Sequence, residues 1–125
     1  MLNLELMHHY TSHAYATFTC DPALQLVWRD AVVQTALGCD FLVRSLLAVS
    51  AVHLAKVRPE KKDVYLSTAF EYHAAASHAA AALMSDLQDG DTMNLFLFSS
   101  LTIFFGWFIL APSRRYGSRA TEADA

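Results

Sequence analysis

The sequence predicts an all-α protein of about five helices that tend to run antiparallel. Three observations carry that expectation. Apolar and aromatic residues recur at three- and four-residue spacing, as in Leu2, Leu6, His9 and His13, the period of one helical face. The breaks between these stretches hold helix punctuation, at Asp21-Pro22, Gly38, Arg58-Pro59 and Asp89-Gly90-Asp91. No convincing strand alternation and no internal repeat interrupts the pattern.

The first helix is expected from about Leu2 to Phe18. Asp21-Pro22 then starts a second, because Asp accepts from unpaired N–H groups and Pro at the first helical position loses no hydrogen bond. Leu24, Val27, Trp28, Ala31 and Val32 fall on one wide face of it, and Gly38 fits a left-handed stop. Asp40 is expected to cap a third helix running to about Val57. Only Arg44 interrupts its apolar surface before Lys56, so it should be mostly buried. Trp28 and Leu46 are expected in the core, joining the second helix to the third.

Arg58-Pro59-Glu60 breaks the chain. The fourth helix begins with a charged turn, Glu60 to Asp63, and becomes alanine-rich from Ala74 to Ala82. Alanine is the best helix former, and the expectation is a helix packed tightly against a neighbour. The fifth should run from about Thr92, after a cap at Asp91, to Ala111, and stop at Pro112. No residue from Thr92 to Ser113 is charged. A membrane span over about 92–113 satisfies the length rule, with Trp107 near one interface and Arg114-Arg115 beyond it. A helix apolar on all sides also serves as the central helix of a soluble domain, and Asn94, Ser99, Ser100 and Thr102 reduce its apolarity. Four amphipathic helices cannot cover such a rod all round. Apolar residues such as Phe105 and Phe108 are therefore expected on an uncovered side, a surface for homo- or hetero-oligomers. Residues 112–125 are small, polar and charged, and read as a disordered tail.

At 125 residues and a net charge of −3, the chain is at most one domain. It has no basic stripe to hold phosphates, so no DNA-binding residue is assigned and no direct nucleic acid binding is expected. Its two cysteines, Cys20 and Cys39, match no zinc-ligand spacing and read as free thiols in a reducing compartment. His9 and His13 are one helical turn apart, a spacing that can bind metal, but no third ligand is apparent and no metal residue is assigned. His53 and His73 stand in apolar or alanine-rich helices and read as hydrogen-bonded core histidines. Ser99-Ser100 lacks the glycines of a nucleophile elbow, and the four glycines are isolated. No catalytic residue and no cofactor is assigned, and an enzyme is not expected.

Five groups of residues carry a resemblance. They are Leu4, Glu5, Leu6, His8, His9 and Tyr10; Trp28-Arg29; Phe41-Leu42, Leu46-Leu47, Ser50-Ala51 and His53-Leu54-Ala55; Arg58-Pro59, Tyr65 and Tyr72-His73; and Phe96, Phe98, Ser99, Ser100 and Leu101. In this order they resemble the regulatory domain of fungal transcription factors with a six-cysteine binuclear zinc cluster, of the sterol-uptake-control type. The resemblance runs from about Leu4 to Phe108. It implies an all-helical fold and ligand-responsive control of RNA polymerase II transcription in the nucleus, of sterol or metabolic genes. It implies zinc only in a six-cysteine cluster that these residues lack, and residues 1–111 read as the N-terminal part of the helical domain, shortened relative to the family. A hydrophobic small molecule such as a sterol is the implied ligand, with its binding residues unassigned. The resemblance also favours a core helix over a membrane span for the last helix. The other readings are a small single-span membrane protein and an interaction module that pairs with a full-length relative.

Overall fold

The computed structural model describes residues 2–88 and 90–110. Among them are five helices and no strand, as the sequence predicts. The expectations for Ala111, Pro112 and the tail 112–125 lie outside the described residues.

Helix α1, Leu2–Ser12, buries Leu6, His9 and Tyr10. It stops earlier than its periodicity suggests, and a 3-10 turn at Ala14–Thr17 follows. Hydroxyl side chains cluster at this break. Thr11 donates back to the Met7 carbonyl at 3.2 Å, and Thr17 to the Ala14 carbonyl at 2.7 Å; such bonds compete with a straight helix. The turn carries Phe18 onto Tyr10 and Trp28.

Helix α2 comprises Pro22–Leu26, a π-helical turn at Val27–Ala31, and Val32–Ala36. Asp21 caps it, its Oδ1 accepting from the Ala23 N–H at 3.0 Å. The π turn adds a residue to the helical repeat and rotates the buried face. Leu24 and Val27 are therefore exposed, whereas Val32 and Ala36 are buried. The single wide face from Leu24 to Val32 does not form. Gly38 is not left-handed either; among the described residues Gly90 alone has a positive φ, at 92°. The chain leaves α2 through tight turns, Gly38 N–H to the Thr35 carbonyl and Cys39 N–H to the Ala36 carbonyl.

Helix α3, Asp40–Val57, starts after Cys39, and Asp40 is its first residue rather than its cap. Every residue from Ser45 to Ala55 is buried. This helix, and not the last, is the centre of the bundle: α1, the end of α2 and the two later helices all pack on it. Its small side chains, Ala48, Ser50, Ala51 and Ala55, let neighbours approach from several sides.

A 3-10 turn at Pro59–Lys61 leads into α4, Lys62–Met84, which buries Tyr65, Ala69, Ala76 and Ala80. The alanine stretch does pack tightly, along α3. Helix α5, Asp91–Leu110, opens with the Asp91 carboxylate accepting from the Gln88 N–H at 2.8 Å. It runs parallel to α3: Phe41 meets Phe98 near one end and His53 meets Phe108 near the other. It buries Leu97, Leu101, Phe105 and Phe108. Its outer side exposes Phe96, Ile103, Trp107 and Leu110. An uncovered apolar side exists, but Phe105 and Phe108 face the core.

Candidate functional site

The most tightly built polar feature lies where α1 crosses α3. His9 Nε2 and His53 Nδ1 are 2.7 Å apart and both residues are buried. One ring donates and the other accepts, so the pair is satisfied when both are neutral. Burial, then the neighbouring His53 and His13 rings and Arg58, lowers the pKa of His9 to about 4. Burial, then His13 and Lys56, also lowers that of His53. Beside the pair, Ser50 Oγ donates to the Leu6 carbonyl at 2.6 Å. Two helices 44 residues apart in sequence are thereby stitched by buried polar contacts.

A second joint ties α1 to α4. The Glu5 carboxylate accepts from Tyr65 Oη at 3.0 Å and lies 3.6 Å from the Arg58 guanidinium. Burial and the Glu5 carboxylate raise the Tyr65 phenol pKa. Tyr10, pushed well above the usual phenol range by burial, donates to the Trp28 carbonyl at 2.8 Å. Trp28 is half-buried and meets Phe18 and Phe104 edge-on. It therefore joins α2 to α5.

His73 sits elsewhere, between α4 and α5. Its ring stacks on Phe105 with centroids 4.2 Å apart and on Phe98 at 6.2 Å. Its Nε2 is 3.4 Å from Ser77 Oγ, while Nδ1 is buried without a partner among the described residues. Ser45 Oγ and Thr102 Oγ1 are likewise buried and unpartnered. Burial lowers the His73 pKa. An open groove of about 520 Å³ lies between α3 and α4, lined by Asn3, Asp40, Arg44, Glu71 and Tyr72 among others. Its mixed charge does not suit a sterol-like molecule.

His9 and His13 do approach, with ring centroids 5.5 Å apart, but His9 Nε2 already faces His53. Among the described residues, no group of three His, Cys, Asp or Glu could hold a metal ion. Cys20 and Cys39 are free thiols. The sequence marked His9, His53 and His73 individually; the pairing of His9 with His53 and the buried hydroxyls of Ser45 and Thr102 were missed. The available signal was a histidine or hydroxyl in an otherwise apolar helix, which says that a partner is needed but not which one.

The geometry is that of a helical domain whose buried polar groups hold helices together. Residues 5–105 match the fungal specific transcription factor domain. A Zn(2)-C6 fungal-type transcription factor of Gibberella zeae is 32% identical over 108 residues, covering 83% of this chain and 22% of that protein. Sterol uptake control protein 2 of Saccharomyces cerevisiae is 33% identical over 57 residues, covering 45% of this chain and 6% of that protein. No solved structure matches. The chain belongs to the fungal specific transcription factor domain family, which bears out the resemblance carried by its core residues. It spans about a fifth of the length of the Gibberella relative.

Proposed function

We propose that this chain acts as part of the regulatory domain of a fungal transcription factor, controlling RNA polymerase II transcription in the nucleus. The observation that carries the reading is the family match across residues 5–105. The buried polar groups agree with it, since the His9–His53, Ser50–Leu6 and Tyr65–Glu5 contacts join helices. The role is control rather than catalysis, and DNA contact is assigned to none of these residues. The likeness to a sterol uptake control protein supports genes of sterol or related metabolism as targets and a hydrophobic small molecule as the signal. The test is to tether the chain to a heterologous DNA-binding domain in yeast, above a reporter. Reporter output should differ from that of the DNA-binding domain alone, and equal output would count against the reading.

The outer side of α5 supports a further point. A stripe of Phe96, Ile103, Trp107 and Leu110 is a surface for protein contact, with a second copy or a longer relative. By length and composition α5 also qualifies as a membrane span, with only 22% of the apolar window buried inside the bundle. The membrane reading predicts that the chain resists alkaline extraction from membranes. The regulatory reading predicts that it is released.

A further inference from the structure

We propose that the outer side of α5 pairs with the same side of a second copy of this chain, antiparallel, about a two-fold axis at the level of Leu101. The inference rests on the reading of that side as a protein-contact surface, and it names the occupant, its direction and its register.

The helix presents a heptad seam to solvent. Phe96, Ile103 and Leu110 recur at every seventh position, and Thr92, Ser99 and Gly106 each stand four residues before one of them. The two sets form adjacent rows along one side of a helix, opposite the buried Leu97, Leu101, Phe105 and Phe108. Gly106 is half-buried and the other five of these seam residues are exposed. Gly106 is also a notch, since an added Cβ would meet nothing within 4 Å.

One row is large and the other small, and that asymmetry fixes the direction of a symmetric pair. In a parallel pair each row meets itself. Phe would face Phe and Gly would face Gly, giving crowded and empty layers in turn. In an antiparallel pair each row meets the other. Phe96 then faces the second copy's Gly106, Ile103 its Ser99 and Leu110 its Thr92, all in a single register. Two-fold symmetry repeats each layer, so every layer holds one large and one small residue, as close packing requires.

Charge points the same way. Asp86 and Asp91 stand at the start of the helix, and Arg114 and Arg115 follow its last described residue in sequence. Antiparallel copies set the acidic end of one beside the basic end of the other. Parallel copies would set like beside like, which costs free energy. The area also suits a dimer. Met93, Phe96, Ile103, Trp107 and Leu110 are 57–82% exposed, on the order of 600 Å² of mainly apolar surface for side chains of ordinary size. A lone monomer rarely leaves so large a patch uncovered, and one partner in a standard interface contributes about 800 Å².

The experiment is sedimentation equilibrium of the full chain. The wild type should be a dimer. Gly106→Leu fills the notch and should raise the dissociation constant about tenfold or more by overpacking the layer opposite Phe96. Adding Phe96→Ala to Gly106→Leu exchanges large for small within that layer and should restore the dimer. Ser99→Phe, a second notch-filling variant, should act as Gly106→Leu does, and each variant should keep the helical signal of the folded chain. Direction is read by oxidative cross-linking in a Cys20→Ser, Cys39→Ser background. Ser99→Cys and Ile103→Cys chains should link to each other when mixed, and neither to itself. A dimer that both notch-filling variants leave intact, or cross-links of each variant to itself, would overturn the proposed pairing and leave the protein-contact reading standing. A chain that is monomeric at every concentration and floats with phosphatidylcholine vesicles would overturn both. A monomer that stays off the vesicles would sink the pairing alone, and reporter output enters none of these results.

Discussion

His9 on α1 and His53 on α3 share one short buried contact, Nε2 to Nδ1 at 2.7 Å. The contact requires one donor and one acceptor. It is lost when both rings are protonated, and even one charge there is poorly solvated.

That relationship sets a pH dependence. The folded pKa of His9 is lowered to about 4 from 6.5, so the unfolded chain binds its proton first as pH falls. The stabilising preference for the neutral ring is complete above about pH 6.5 and is lost progressively as pH falls towards 4. The upper limit is about 3 kcal/mol for such a shift. His53, shifted in the same direction, adds to the same trend. Denaturation midpoints at pH 7.5 and 4.5 should differ more in the wild type than in His9→Gln; equal slopes would place the acid sensitivity elsewhere.

Leu46 is fully buried in the middle of α3. Leu46→Ala should cost about 2–5 kcal/mol, the transfer term plus a cavity. Trp28→Ala should lower stability by less than a fully buried tryptophan would, because Trp28 is half-buried against Phe18 and Phe104. Thermal melts followed by helical circular dichroism check both. An unchanged midpoint in Leu46→Ala would contradict an α3-centred core.

Ser50 Oγ donates to the Leu6 carbonyl across the α1–α3 contact. Ser50→Ala should destabilise by about 1–2 kcal/mol by leaving a buried carbonyl short of a partner. Amide exchange in α1 should accelerate more than in α4. Uniform acceleration would mean that α1 is not held separately by this bond.

How much could be read from the sequence differs by element. Helix number, the Asp21-Pro22 start and the buried character of α3 followed from spacing, capping chemistry and the scarcity of charge. The early end of α1 and the π turn in α2 did not, since they depend on which face Phe18, Val32 and Ala36 must turn to the core. α3 was expected to be mostly buried, but its place at the centre of the bundle was not read. α5 is the more apolar, but α3 carries the small residues that let neighbours pack on several sides. Phe105 and Phe108 were expected outside for the same reason, because an evenly apolar helix has no periodic signal to show which side is covered. The polar joints were readable only as isolated histidines; that His9 meets His53 is a tertiary fact.

Polar substitutions at Phe96 and Ile103, both more than 60% exposed, should leave helix content and the thermal midpoint nearly unchanged. Polar substitutions at Phe105 or Phe108, each 6% exposed, should instead unfold the bundle at lower temperature, as burial of an unpaired polar group demands. Similar melts for the two classes would mean that the two faces of α5 have been exchanged.

The most direct measurement combines that pair of faces with the tethered reporter. A chain carrying Phe96→Ser and Ile103→Ser should fold like the wild type, with the same melt, yet lose its effect on the reporter, because the proposed role of the outer face of α5 is the protein contact through which control is exerted. A folded double variant with undiminished reporter activity would contradict that account.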